Sequence, residues 1–483
     1  NKSELQVILD MPERTPVEQT QRVLTDMGHY LETVPEVTDW QTYAGTASPI
    51  NFNGLVRQYY LRSEPYQGDI QVNLAGSGHR ERPSHQIAQS LRGPLTAIAD
   101  RYGAKVKIVE VPPGPPVLSP VVAEIYAADA FRRAELATLI ADDMNGIEGL
   151  VDIDTTLEAP TRQWEVVVDR ARAARLGVSQ ALVVSTLQTA LGGAGVSYLH
   201  DDQAKYPVPI RVILAEGDKA QPSALLSVQV RSRSGELVPL ASIADVREAD
   251  WMGAIYHKDL LPVTYVTADM AGDIDSPLYG MFRMVDLLEN QAEAPEQFFI
   301  QQPPLPEKGT LKWDGEWQIT YETFRDMGAA YSVGVFMIFV LLVAQFRSYL
   351  LPLIIMAPIP LTLIGIMPGH ALLDKEFTAT SMIGMIALAG IIVRNSILLV
   401  VFIQQLMEEG MALDKAVVMA GAVRIKPILL TAISAMVGAY FILSDPIFNG
   451  LAISLVFGLA MSTLFTVIVV PLLYYTLARC KWI

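Results

Sequence analysis

The feature that most limits what this chain can become is a change of character at residue 328. From Gly328 onward the sequence is almost continuously apolar, in five runs: 328–346, 350–373, 377–406, 427–443 and 448–477. Each can cross a hydrocarbon layer about 30 Å thick, which takes about 20 helical residues. No water is available there to satisfy backbone amides, so the expected fold of each run is a membrane-spanning α-helix. The second run carries Pro352, Pro358, Pro360 and Pro368 and is expected to kink.

The connections set the orientation. Arg347 follows run one, Lys415, Arg424 and Lys426 lie between runs three and four, and Arg479 and Lys481 follow run five. The other two connections contain Lys375 as their only base. The positive-inside rule places the first set in the cytoplasm. Residues 1–327 then lie outside, periplasmic in a Gram-negative cell, and the C-terminus is cytoplasmic. Formal charge divides at the same point, about −17 before Gly328 against +2 after it. An acidic outer part argues against nucleic acid as a partner. The chain opens NKSELQV, without a basic and apolar leader. The expectation is therefore the back part of a longer protein.

The outer part reads as β-α-β units. ELQVILDM (4–11) is a strand. A helix follows from PERTPVEQTQRVL, with Thr15 as N-cap and Pro16 at the first helical position. VTDWQTYAG is the next strand. DIQVNL, HQIAQSLRGPLTAIADRYG and KVKIVEV repeat the alternation, as do VVAEIYA, AFRRAELATLIADDMNGI and LVDIDTTLE. Such units form α+β subdomains, each a sheet with helices on one face. TASPINFNGLVRQYY (46–60) reads as a mobile loop, and VPPGPPVLSP (111–120) as an extended connection. Both also suit ordinary hinges or surface loops.

Catalytic signatures are missing: no G-x-S-x-G, P-loop or H-E-x-x-H occurs. Cys480 is the single cysteine, so no disulfide framework or cysteine zinc site is possible. The six histidines never fall at i, i+4 spacing. The chain reads as a non-enzyme that needs no cofactor, and as something other than an ATP-driven pump.

Six stretches together resemble one family, the inner-membrane permeases of resistance-nodulation-division (RND) efflux pumps. They are MPERTPVEQTQRVL, EVVVDRARAARLGVS, VPLASIADV, SMIGMIALAGIIVRNSILLVVFI, AVRIKPILLTAISAMVG and FGLAMSTLFTVIVVPLLYY. The resemblance covers essentially the whole chain. It implies the second half of a twelve-span protein, comprising the second periplasmic loop and spans eight to twelve. It further implies a first porter subdomain at about 1–118, a second at 119–165 plus 253–320, and a docking subdomain at 166–252. The implied partners are the N-terminal half of the permease, two further copies in a homotrimer, a periplasmic adaptor protein, an outer-membrane channel and the lipid bilayer.

One residue then stands out. Arg394 sits roughly 16 residues, or about 24 Å, into the third run. A central arginine costs about 2.5–3.5 kcal/mol to insert. A charge kept at that depth usually faces a bundle interior and a carboxylate. The alternative is a side chain that snorkels to the interface. Runs 328–483 hold no acid at comparable depth. By the resemblance, the partners are aspartates on the fourth span of the missing half, and the mechanism is proton antiport. Many drug-exporting members of the family have lysine here. Arginine stays charged, which suits a fixed counter-ion. Arg394, Asn395 and Ser454 are the expected proton-coupling residues, with Ser396, Ser462 and Thr463 as nearby hydroxyls. Met11, Phe52, Asn53 and Gly54 are the expected substrate-pathway residues. The expected cargo is amphiphilic and organic, as in multidrug resistance. Heavy-metal export, or a non-transporting membrane-anchored scaffold, is the alternative.

Overall fold

The computed structural model describes residues 3–110, 117–159, 161–200, 203–219, 221–251, 253–272, 276–291, 293–304, 308–445 and 447–480. The Pro-rich residues 111–116 and the side chain of Phe52 lie outside the described part. The chain divides into two compact units, residues 1–157 with 256–483, and residues 158–255.

The first subdomain of the larger unit is a four-stranded sheet. Its elements are β1 (Glu4–Asp10), α1 (Val17–Leu31), β2 (Val37–Ala44), α2 (Phe52–Val56), β3 (Gln67–Leu74), α3 (Ser84–Asp100) and β4 (Lys105–Glu110). Strand order is β2-β3-β1-β4, with β1 antiparallel to both neighbours. Period-two alternation puts Leu5, Val7 and Leu9 on one face, where they meet Val23, Leu24, Met27 and Leu31 of α1 and Ile87, Leu91 and Leu95 of α3. Helix α1 starts at Val17 behind Pro16, and the Thr15 hydroxyl donates to the Pro12 carbonyl (2.5 Å) instead of capping.

Residues 46–62 differ from the expected mobile loop. They lie across the other face of this sheet and are strapped to it. Gln6, fully buried, donates to Ser48 Oγ (3.1 Å), and Asn51 donates to Gln71 Oε1 (3.0 Å). Arg62 pairs with Asp10 (2.8 Å) and Asp69 (2.9 Å). Asn51 caps the short helix α2 by accepting from Gly54 N (2.6 Å).

The second subdomain begins with β5 (Val121–Tyr126), α4 (Ala130–Asn145) and β6 (Leu150–Thr155). The chain then enters the smaller unit, which holds β7 (Arg162–Val168), α5 (Arg170–Arg175), α6 (Gln180–Gly192), β8 (Ala194–Leu199), β9 (Val208–Val212), α7 (Glu216–Lys219), α8 (Pro222–Leu226), β10 (Gln229–Arg231), β11 (Leu237–Pro239) and β12 (Ala244–Asp250). β7 belongs here because it pairs along its length with β12. The unit therefore starts at Glu158, ahead of the expected 166. Its small core gathers Ala173, Val178, Val183, Val230, Val238, Leu240 and Ile243.

Back in the larger unit come β13 (His257–Lys258), β14 (Leu261–Met270), α9 (Pro277–Glu289), β15 (Glu296–Phe298) and β16 (Thr310–Gly315). They complete a mostly antiparallel sheet of order β13-β14-β5-β16-β15, with β6 also on β14. Its core holds Val121, Ala123 and Ile125 under α4 and α9, with Trp313 fully buried.

The two subdomains meet through charge, sorted by side. Arg57, Arg92, Lys105 and Lys107 come from the first; Asp269, Asp152 and Asp154 answer from the second. Burial pushes Asp154 up, but Lys107 and Lys105 outweigh it and hold the carboxyl below its ordinary value. A depressed carboxylate stabilises above its unfolded pKa and loses that contribution as pH falls through the folded value. Asp154→Asn should therefore flatten the loss of thermal stability below about pH 4. An acid limb identical to wild type would refute this role.

Five helical segments follow: α10 (Glu316–Phe346), the broken segment α11 (Leu350–Met356), α12 (Pro358–Leu361) and α13 (Leu363–Leu372), then α14 (Ala379–Glu408), α15 (Leu413–Tyr440) and α16 (Asn449–Arg479). All five are long and apolar enough to span a membrane. The second breaks where its prolines remove amide donors. The fourth starts 14 residues before the expected 427: Pro427 lies inside α15, so Lys415, Arg424 and Lys426 are helical. Arg424 stacks on the Phe402 ring of α14 at 4.6 Å.

Candidate functional site

The site is built on the packing of α14 against α16. Thr378 and Ser381 form a reciprocal capping box at the start of α14. Small residues then let the two backbones approach. A Cβ on Gly384 would stand 2.7 Å from Ser454 Cβ and 2.9 Å from the Leu451 carbonyl oxygen; one on Gly450 would meet Thr378 Oγ1 at 2.8 Å. Gly458 lies against Leu388. Partners thus advance together along both chains, offset by about 70 residues, so α14 and α16 run parallel. Gly384→Val should cost about 1–3 kcal/mol through overpacking, read as a lower melting temperature of the purified protein. A wild-type melting temperature would show that the helices separate freely.

Arg394 follows Gly384 by ten residues, about 15 Å along the axis. Its side chain is exposed on the flank of the five-helix bundle and has no ion pair or hydrogen bond among the described residues. The next residues point the other way: Asn395 is 5% exposed and Ser396 is fully buried. Glu408, the nearest acid along α14, is 14 residues beyond Arg394, about 21 Å away along the helix.

The expected trio is therefore not one cluster. Ser454 is fully buried, but beside Gly384, near the N-terminal ends of α14 and α16. By the helix register, Ser396 lies level with Thr463 and Thr466 of α16. Ser462, in the same turn, donates back to the Leu459 carbonyl (3.1 Å). The hydroxyls of Ser396, Ser454 and Thr463 are buried without a hydrogen bond among the described residues. Thr466 went unnoticed in the sequence because a hydroxyl in an apolar run carries no periodic signal. The same holds for His370 of α13, 4% exposed, with Nδ1 at 3.2 Å from the Lys375 carbonyl and Nε2 unpartnered.

The expected pathway residues are also dispersed. Met11 is 3% exposed and belongs to the first sheet's core. Asn53 is buried in α2 with Oδ1 unsatisfied, and Gly54 N takes part in the Asn51 cap. Among the described residues no three His, Cys, Asp or Glu side chains converge to hold a metal ion. An apolar cleft of about 340 Å³ opens in the bundle between α10, α11–α13 and α14. Tyr331, Val335, Met356, Ile359, Leu363 and Met385 line it.

Comparisons with known proteins follow this architecture. A model of the AcrB/AcrD/AcrF family matches residues 1–478. The multidrug export protein AcrF of Escherichia coli is 25% identical over 354 residues, 71% of this chain and 31% of that protein. The cobalt-zinc-cadmium resistance protein CzcA of Cupriavidus metallidurans is 24% identical over 368 residues, 74% of this chain and 33% of the relative. The swarming motility protein SwrC of Bacillus subtilis is 24% identical over 346 residues, 70% and 31% respectively. The fold matches a crystal structure described as a heavy metal efflux pump, with TM-score 0.72 and 21% identity, over 99% of this chain and 48% of that one. The chain thus spans about half the length of that structure and aligns with about a third of its curated relatives.

Proposed function

Since the chain belongs to the AcrB/AcrD/AcrF family of RND permeases, we propose that it is the second half of a proton-driven exporter of amphiphilic organic compounds, inactive without the first half. The observation that carries this reading is Arg394: a permanent cation deep in a span, on an open flank, with no counter-ion among the described residues. A scaffold gains nothing from an insertion penalty of about 2.5–3.5 kcal/mol. In an exporter the same charge lowers the pKa of carboxylates brought by the missing half and is released when they protonate. Asn395 and Ser396, facing inward, then report that change to α16. Ser454 serves as a hydroxyl nearer the outer surface.

In this reading residues 1–327 are periplasmic porter and docking parts, the C-terminus is cytoplasmic, and the assembly is a homotrimer in the inner membrane. An adaptor protein and an outer-membrane channel complete the route. The apolar cleft beside α11–α13 suits amphiphilic cargo entering from the bilayer. The strapped segment that holds Asn53 and Gly54 borders the cargo route in this reading, with Phe52 between Asn51 and Asn53 in sequence, whereas Met11 serves the core. Metal export stays as the second reading, because CzcA aligns as well as AcrF does.

The test is accumulation of dyes, bile salts, copper and zinc in cells carrying the complete permease, with and without an uncoupler. Uncoupler-sensitive loss of dyes or bile salts supports the proposal. Loss of copper or zinc alone moves the cargo to metal, and no loss of any compound refutes export.

A further inference from the structure

Helix α10 joins the outer domain to the membrane without a break, from Glu316 to Phe346. Its start is sharply defined. Gly315 has φ +78°, and a Cβ there would meet the Pro120 carbonyl oxygen at 2.6 Å, so glycine is required. The next amide, Glu316 N, donates to that same carbonyl (3.0 Å). Beyond this point the helix is lightly held: Leu342 is its only buried residue among those described.

Glu316, in the first turn, has a partly buried carboxylate with no hydrogen bond or ion pair among the described residues. Strand register sets it beside Asp269: Ala268 and Gly315 both pair with Val121, so Asp269 and Glu316 follow on either side of Pro120. Arg57 belongs to the segment strapped across the first sheet, directly after α2. Its side chain is 9% exposed, and its guanidinium reaches Asp269 Oδ2 at 3.3 and 3.4 Å, the long end of the hydrogen-bond range. One buried guanidinium thus stands near two carboxylates and is loosely paired with one. The paired carboxylate is on β14 of the second subdomain. The unpaired one is on the membrane helix itself.

We propose that Arg57 is a coupling residue that exchanges between Asp269 and Glu316 as α10 shifts, passing movement of the membrane helix to residues 51–62 of the first subdomain. The inference rests on the exporter reading above and names how its outer part is driven. A full-strength bond to Asp269 would fix the segment to the second subdomain. The loose bond leaves the guanidinium free to follow Glu316, and its arrival would offset the burial and the like charges of Asp269 and Glu376 that disfavour the ionised carboxylate. Exchange also avoids desolvating a bare cation at any stage, because one carboxylate is always at hand.

The experiment uses the complete permease, both halves, in a cysteine-free background that includes Cys480→Ser. Disulfide formation is measured for Arg57→Cys with Glu316→Cys, and for Arg57→Cys with Asp269→Cys. Export is measured in proteoliposomes for Glu316→Gln, Arg57→Gln and the double variant at equal folded yield. Both cysteine pairs should cross-link, and an imposed proton gradient should shift the balance between them. Each single variant should lose about tenfold in export, and the double variant should lose no more than either. Cross-linking at 57–269 alone, or Glu316→Gln exporting at the wild-type rate, overturns the exchange. A wild type that exports nothing under the gradient sinks the exporter reading instead, and the two cross-links still decide the exchange.

Discussion

Arg394→Ala in the complete permease is expected to lower gradient-driven export about 100-fold: in the proposed coupling the guanidinium shifts the pKa of carboxylates in the other half by about 1–3 units, and its loss changes when they take up protons. Protein yield should hold, since Arg394 makes no contact within this half that the bundle depends on. Arg394→Lys should retain export within about tenfold of wild type: the charge survives, while the planar fork that grips a carboxylate is lost. Lysine can also lose its proton on burial, so the pH optimum of that variant should move towards acid. The decisive readout is export with and without an uncoupler at matched expression. Normal export by Arg394→Ala would make the arginine a snorkelling residue and remove the main support for proton drive.

The second large effect concerns stability. Glu124 is fully buried at the centre of the second sheet, cross-strand to Lys312 on β16 and Tyr265 on β14. Lys312, 6% exposed, reaches it at 3.4 Å. The Tyr126 hydroxyl donates to it at 2.8 Å, and Lys258 bridges it to Asp314. Burial pushes Glu124 up, whereas Lys258 is held above its ordinary value because the two carboxylates outweigh its own burial. Glu124→Ala leaves the Lys312 ammonium buried without its partner and should destabilise by about 3–5 kcal/mol. The paired change Glu124→Met with Lys312→Met should be close to neutral, since neither charge then remains to be desolvated. Thermal unfolding of the intact permease in detergent separates the cases. Equal melting temperatures for Glu124→Ala and wild type would show that water reaches this face. Lys258 adds a pH signature: a raised lysine stabilises below its unfolded pKa, and the contribution fades as pH rises through the folded value.

Much of this architecture was legible in the residues, and the reasons are physical. The five spans announce themselves because hydrocarbon demands length and apolarity together. β1, α1 and β3 show because Leu5, Val7 and Leu9 alternate while Val23, Leu24, Met27 and Leu31 follow the helical period. What failed did so locally. Residues 46–60 read as mobile because the restraints on and just after them are polar and distant in sequence, as with Gln6 to Ser48 and Arg62 to Asp10. The fourth run reads from 427 because Lys415, Arg424 and Lys426 interrupt the apolar sequence before it, yet α15 begins 14 residues earlier and carries these bases. At the candidate site, the depth of Arg394 was readable from counting, whereas its company was not. Ser454 and Arg394 share a bundle but not a level, and only the register of α14 on α16 reveals that. Glu316 gave no sign at all, since a glutamate after a glycine ahead of an apolar run looks like an ordinary helix start.

The proline breaks in the second span carry a mechanical meaning. α10 and α14 run 31 and 30 residues, about 45 Å each, with no proline inside, whereas α16 carries Pro471. α11, α12 and α13 are short pieces with missing amide bonds between them. Under load, strain collects in the softest member of a frame. This span, with helical backbone at both junctions but fewer amide hydrogen bonds, is expected to be the bundle's most compliant member. The apolar cleft rests against it, so the volume open to a guest would follow the tension that the stiff helices place on that one compliant segment.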